Sequence, residues 1–315
     1  PNSTEMTMHC GYERAGRKGL FVAGICFIFP AIIITGLLAY LYVKYGELPE
    51  VKPFIIGIKP AVLAIIASAI IKLSKKAIKS TELAVLGIIV LVVSLLGVNE
   101  VLALLLAGVF GMGYFYLKER IQNKTLSITP ILLCFGISET VVKLSSLKVF
   151  LVFLKVGAIL YGSGYVLFAY LDAELVSRGW LTRPELIDAI AVGQFTPGPV
   201  LSTSTCIGHQ LSGFPGAIAA TTGIFLPSFL FVLILNPFIS KMRQSKILRH
   251  FLDAVNVAAV AVMLSVLVVM TIDTIVDWRT ILIAILCSYL TFGTKISTMW
   301  IISIGSVLGY LLLLF

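Results

Sequence analysis

The residues able to do chemistry in this chain gather around prolines and glycines. Gln194-Phe195-Thr196-Pro197-Gly198-Pro199 interrupts a moderately apolar stretch between residues 186 and 208, and Leu201-Ser202-Thr203-Ser204-Thr205 follows at once. Two prolines about a glycine remove backbone donors and unseat a helix. At membrane depth such irregular backbone persists only where protein or a water-filled cavity surrounds it. The hydroxyl-rich run then opens a half-helix, whose free N–H groups and positive dipole end suit an oxyanion. Gln194, Thr196, Pro197, Gly198, Pro199, Ser202 and Thr203 are therefore candidate substrate-binding residues. A kinked packing helix, its Ser and Thr bonded to their own backbone, is the plainer alternative.

Pro1-Asn2-Ser3-Thr4-Glu5 offers the same device at the start of the chain. Asn2 and Ser3 supply donors. Glu5 is an acid beside a broken helix, and ionisable groups inside membranes are functional candidates by default. A carboxylate next to an anion site suggests a proton-coupled group; the alternative is an acid that steadies a helix N-terminus. Lys59 and Lys155 also lie inside apolar spans. Each is placed to neutralise a dianion or to snorkel to the interface, and Lys155 joins the candidate set. Asp253 sits nearer its helix end and reads as interfacial. Tyr161-Gly162-Ser163-Gly164-Tyr165 splits another span, where Gly162 and Gly164 permit close helix packing. With no strand–turn–helix context it is not a nucleotide motif. No catalytic residue, metal ligand set or cofactor is expected. His9, His209 and His250 are dispersed, and the five cysteines show no paired spacing.

What must position these groups is a membrane scaffold. Hydrophobic residues make up 59% of the chain and charged ones 12%, against about 25% charged in a soluble domain. Spans of about 20 apolar residues are readable at 20–43, 54–73, 83–98, 101–117, 149–171, 216–235, 251–272, 281–292 (extending back toward Trp278) and 296–315. The fold class is an all-α polytopic membrane protein.

The chain is also written twice. Gly11, Gly16, Gly19 and Pro30 recur 197 residues on as Gly208, Gly213, Gly216 and Pro227, and Phe54, Ala61 and Ala64 as Phe251, Ala258 and Ala261. Residues 1–118 form a first repeat, 119–147 a cytoplasmic linker and 148–315 a second. The linker's apolar run at 126–137 is too short to span. The second copy opens with a stretch the first lacks, so an equal first copy implies roughly 50 further residues before Pro1.

Basic residues accumulate on the cytoplasmic side. With 12–18 placed inside, the inside loops hold 17 Lys+Arg against 4 Asp+Glu, and the outside loops 5 against 9. The loop at 12–18 then falls inside and its twin at 209–215 outside, so the repeats are inverted, with broken or re-entrant helices, as in many transporters. The net charge of +9 faces anionic lipid and calls for no nucleic-acid partner. The Asn2-Ser3-Thr4 and Asn123-Lys124-Thr125 patterns fall where glycosylation is not expected.

At these residues the chain closely resembles the chromate ion transporter family. The carrying stretches are Pro1-Asn2-Ser3-Thr4-Glu5, Gly11-Tyr12, Gly16 and Gly19, then Phe153-Leu154-Lys155-Val156-Gly157, Tyr161-Gly162-Ser163-Gly164-Tyr165, Gly179-Trp180-Leu181-Thr182, Gln194 with Thr196-Pro197-Gly198-Pro199, Gly208, and Gly223-Ile224-Phe225-Leu226-Pro227-Ser228. The resemblance covers nearly the whole chain. The family's opening Phe-Gly-Gly-Pro signature and the first two residues of its first Pro-Gly-Pro-Asn motif precede Pro1, and Tyr161 and Ser163 stand where the family usually has Phe and Gly. The resemblance implies two halves of opposite orientation and export of chromate, driven by an ion gradient, across a bacterial-type cytoplasmic membrane, giving resistance. A proton is the implied coupling ion and a homodimer a possible assembly. Sulfate or another oxyanion, and a passive anion channel, are the alternatives. A membrane reductase would need a redox cofactor for which the chain shows no motif.

Overall fold

The structure is a computed structural model that describes residues 3–46, 48–98, 100–122, 145–160, 164–235 and 246–313. Pro1, Asn2, Tyr161, Gly162, Ser163 and the 126–137 run of the linker lie outside these residues. Among the described residues the chain is helical. Its elements are α1 (Ser3–Tyr45), α2 (Lys52–Ala77), α3 (Thr81–Leu95), α4 (Glu100–Gln122), α5 (Ser146–Ile159), α6 (Leu167–Leu171), α7 (Arg183–Phe195), α8 (Thr203–Leu235), α9 (Lys246–Thr274), α10 (Trp278–Gly293) and α11 (Thr298–Leu313).

Four helical runs are long and apolar enough to cross a membrane: Ser3–Tyr45, Lys52–Ala77, Val200–Ile234 and Leu248–Thr274. α3, α10, α11 and much of α4 are shorter apolar helices. Phe21, Val22, Ile25, Phe29 and Ile33 of α1 stand exposed, a surface that suits lipid tails. The expected break within the span that begins at 149 is present. α5 stops at Ile159, and the chain resumes through Gly164–Val166, α6 and a single π-turn at Asp172–Val176.

Local chemistry sets the helix ends. Ser80 caps α3 by accepting from the Leu83 N–H, and Asp277 caps α10 from Thr280. Thr182 and Glu185 form a reciprocal capping box at the start of α7, with proline in its first turn. Ser80 and Asp277 are 197 residues apart. The same offset carries the end of α2 (Ala77) onto that of α9 (Thr274), and the start of α3 (Thr81) onto that of α10 (Trp278).

Two long helices turn back on themselves at equivalent glycines. In α1, Ala15 (φ −142°, ψ 26°) and Gly16 (φ 57°, ψ −143°) leave helical geometry. In α8, Ser212 (φ −151°, ψ 26°) and Gly213 (φ 63°, ψ −153°) do the same. The positive φ favours glycine. The two arms of each turn touch backbone to backbone. A Cβ on Gly11 would overlap the Gly19 carbonyl, and one on Gly208 the Gly216 carbonyl. Eight residues of continuous helix would hold those pairs about 12 Å apart, so each turn is a helical hairpin.

The copies pack by exchange. α2 lies against α10 and α11, while its counterpart α9 lies against α3 and α4. Small residues let these backbones meet: a Cβ on Gly57 would strike the Gly305 carbonyl and Gly309, and one on Gly111 would overlap the Cβ of Ala254, the residue 197 beyond Gly57. α1 meets α8 along a groove of about 360 Å³ lined by Phe21, Ile25, Ile32, Thr221, Phe225 and Phe229. Phe21 stacks on Phe229, while Thr35 and Tyr40, further along α1, reach Thr196 and His209 near the start of α8. Gly36 lies by Thr205, which bonds Thr221 near the start of the long arm of α8, while Phe21 meets Phe229 further along it, so the long arms of these two helices run antiparallel.

Candidate functional site

Thr196-Pro197-Gly198-Pro199 is the tip of a third hairpin. α7 ends at Phe195, Thr196 is extended (φ −87°, ψ 135°), and a 3₁₀ turn at Val200–Ser202 feeds α8. Gly193 on one arm packs so closely on Thr203 of the other that any Cβ would overlap the threonine side chain. α7 has 13 residues, about 20 Å of helix, too short to cross a core of about 30 Å. α7 and α8 thus form a hairpin whose first arm is shorter than a membrane span.

The tip is half open. Pro197 and Gly198 are exposed, whereas Thr196 and Pro199 are buried. Gly198 has φ +152°, and a Cβ there would come within 2.5 Å of the Ala31 Cβ on α1. The Thr196 hydroxyl donates to the Gly193 carbonyl (2.9 Å), accepts from the Thr35 hydroxyl (3.3 Å), and lies 3.4 Å from the Ser202 hydroxyl. Thr203 and Ser204 donate to the Val200 and Leu201 carbonyls, as the plainer alternative has it, and Thr205 bonds Thr221. Ser202 and Thr203 are fully buried. The groups presented at the tip are thus the backbone around Gly198 and, one step back along α7, Gln194. Its Oε1 accepts from the Tyr165 hydroxyl (3.5 Å), while its buried Nε2 has no hydrogen-bond partner among the described residues. A buried donor without an acceptor costs about 1–3 kcal/mol and marks a place where an anion would be welcome.

Glu5 lies on the first arm of α1. It accepts from the Ser228 hydroxyl (3.5 Å) on α8, and Ser3 accepts from Thr7 through its carbonyl. Ala31 follows Pro30 and Ser228 follows Pro227, the equivalent prolines. Glu5 thus lies beside the residue after Pro227, as Gly198 lies beside the residue after Pro30. Lys155 pairs with Glu174 (2.5 Å), which also holds Arg178 (2.8 Å). Arg183 ties Asp172 (2.9 Å) to Asp273 (3.0 Å). These two acids of the π-turn and their cations form a charged cluster, so Lys155 is already engaged there. Lys59 is engaged too, with Asp188 at 3.4 Å, and Asp253 pairs with Lys79. Gly164 is buried in its short turn; Asn2 and Gly162 lie outside the described residues.

Sequence reasoning missed Asp188, Tyr42, Thr35 and Ala31. Asp188 is 6% exposed, and its Oδ2 accepts from the Tyr42 hydroxyl at 2.7 Å. It is the only acid in Leu186-Ile187-Asp188-Ala189-Ile190-Ala191-Val192, and that isolation was the available signal. The apolar groove between α1 and α8 offers nothing to a dianion. Among the described residues no cluster of His, Cys, Asp and Glu is placed to hold a metal.

Comparison with known proteins gives a consistent picture. The family described as "Chromate transporter" matches residues 1–112 and again 147–310. The chain is 30% identical to the chromate transport protein of Cupriavidus metallidurans, over 98% of this chain and 79% of that one. It is 29% identical to the probable chromate transport protein of Synechococcus elongatus, over 98% and 81%, and 25% identical to an uncharacterized transporter of Methanocaldococcus jannaschii, over 98% and 80%. No solved structure matches.

Proposed function

The chain belongs to the chromate transporter family, and from that premise we propose that it is a secondary active transporter that exports chromate across the cytoplasmic membrane and so confers resistance. The observation that carries this reading is the half-open tip at Pro197-Gly198, with exposed backbone at the end of a half-helix and the orphan Gln194 amide beside it. Backbone N–H groups after Gly198 and the dipole of the α8 arm bind oxyanion oxygens, and Gln194 completes the shell. Thr196, Pro199, Ser202 and Thr203 shape the tip. Asn2, Ser3 and Glu5 belong to the counterpart element of the first repeat. The repeats are inverted, and alternating access arises as one rocks against the other. A proton is the coupling ion, and no cofactor or catalytic step is needed.

Radiolabelled chromate flux into everted membrane vesicles tests the reading, with a proton gradient imposed or collapsed and sulfate in excess as competitor. Gradient-dependent chromate accumulation is expected. Flux equal to empty vesicles, with the protein shown to be inserted, would overturn chromate transport. Flux indifferent to every ion gradient would replace a secondary transporter by a channel.

A further inference from the structure

We propose that Lys59 and Asp188 form an exchangeable ion pair that links proton uptake to oxyanion binding: the anion takes the Lys59 ammonium, and Asp188, relieved of its cation, takes a proton. The inference rests on the oxyanion-transport reading above and assigns the coupling to Asp188.

Geometry carries it. Asp188 is 6% exposed, and both its partners meet the same oxygen, Tyr42 at 2.7 Å and Lys59 at 3.4 Å. Oδ1 is buried without a hydrogen-bond partner among the described residues. A well-made charge-assisted bond is about 2.7–2.9 Å, so the 3.4 Å Lys59 contact is slack. A buried ion pair holds only if its remaining lone pairs are satisfied. The vacant Oδ1 is where a proton would sit. Protonation leaves Tyr42 still donating to Oδ2 and leaves Lys59 as a half-buried cation in need of an anion.

The tip is within reach. Gln194 lies about 9 Å beyond Asp188 at the ordinary helical rise. α2 follows α7 toward it, since Ala61, Ala64 and Ile65 share a cluster with Phe195. Lys59 has four flexible carbons with which to swing between the two positions. The groups facing Asp188 are Tyr42 from α1, Lys59 from α2, Cys206 from α8 and Glu185 from its own helix. α9 and α11 also pack on α7; there Asp273 is engaged by Arg183, Asp253 by Lys79, His250 by Phe115, and Tyr310 by Phe54. The arrangement has no duplicate at the repeat-related position of α9, where Lys59 is replaced by the neutral Asn256. A dianion carried with one proton keeps net negative charge, so an inside-negative potential favours its outward passage.

Calorimetric titration of the purified protein with chromate and with sulfate, in two buffers of different ionisation enthalpy, counts the protons taken up. Sulfate stays ionised near neutrality, which separates the protein's proton from the anion's. The native protein is expected to take up a proton with each anion and to bind severalfold more tightly per unit fall in pH. Asp188→Asn should bind without proton uptake, keep chromate counterflow between equal solutions, and carry two negative charges per chromate where the native protein carries one, so its accumulation should respond more steeply to an imposed potential and no longer to a pH gradient. Lys59→Gln should weaken binding at least tenfold. The double variant removes both charges, should insert and melt like the native protein, and guards against reading misfolding as lost coupling. Native proton uptake, or the native charge per chromate, in Asp188→Asn overturns the inference while leaving transport standing. A native protein that binds and moves neither anion overturns the transport reading, and this inference with it.

Discussion

Gly198 and Ala31 come from different copies of the repeat, yet a Cβ on one would stand 2.5 Å from that of the other. The contact wedges the second copy's hairpin tip against the first copy's long helix, one residue past Pro30. Gly198 also holds φ +152°, a region that L side chains rarely adopt. Two independent costs therefore fall on any substitution. Gly198→Leu is expected to lower chromate transport about 100-fold, the usual penalty for displacing a binding group by about 1 Å, with membrane insertion unchanged. Native flux from that variant would remove the site from the tip.

Thr35 reaches the tip from outside its hairpin by donating to the Thr196 hydroxyl, and it is fully buried. Thr35→Val keeps the shape and deletes the donor. It should cost about 1 kcal/mol of stability and reduce anion affinity severalfold, while Thr35→Ser should retain both. Thermal unfolding and equilibrium binding on the two variants give the comparison.

The turn glycines separate two mechanisms within one hairpin. A Cβ on Gly213 meets nothing within 4 Å, so Gly213→Ala pays only for its φ of +63°, about 1 kcal/mol. A Cβ on Gly208 overlaps the Gly216 carbonyl and lies 2.6 Å from the Ala220 Cβ, and relief requires the arms to part. Gly208→Ala should reduce folded protein in the membrane far more than Gly213→Ala, as size-exclusion yield after solubilisation would report. The same order should hold for Gly11→Ala and Gly16→Ala.

Arg183 makes two bonds to Asp172, at 2.9 and 3.3 Å, and one to Asp273 at 3.0 Å. Asp172 is buried, whereas the Asp273 side chain is 37% exposed. Arg183→Met strands Asp172 and should cost about 3–5 kcal/mol. Asp273→Asn should cost under about 1 kcal/mol. Equal melting shifts for the two would mean that burial does not govern this cluster.

Much of this architecture was legible in one dimension. The spans follow from runs of apolar residues, because a membrane core accepts little else. The repeat follows from an offset of 197 residues, and Gly16 and Gly213 share their backbone angles because a reversal of the same hand needs the same residue. The break at Thr196-Pro197-Gly198-Pro199 was legible because proline and glycine act on the backbone where they stand. Leu126–Ile137 and the first residues of the chain lie outside what the structure describes, so their expectations stand as the sequence left them.

What the sequence could not say is who meets whom. Lys155 and Lys59 each read as a cation in an apolar span, able to neutralise a dianion or to snorkel, and only Lys155 joined the candidate set. Only the tertiary structure gives Lys155 to Glu174 and Lys59 to Asp188. Glu5 read as a partner of the anion site, and only the fold adds its bond to Ser228. Asp188, Thr35 and Ala31 carried no motif, because their roles arise from contacts between residues more than a hundred positions apart. The sequence alone determined the membrane class, the doubling and the breaks, which are local or periodic properties of the chain. The tertiary structure alone decided the pairing of charges and the seat of each hairpin tip, because those depend on how one copy packs against the other.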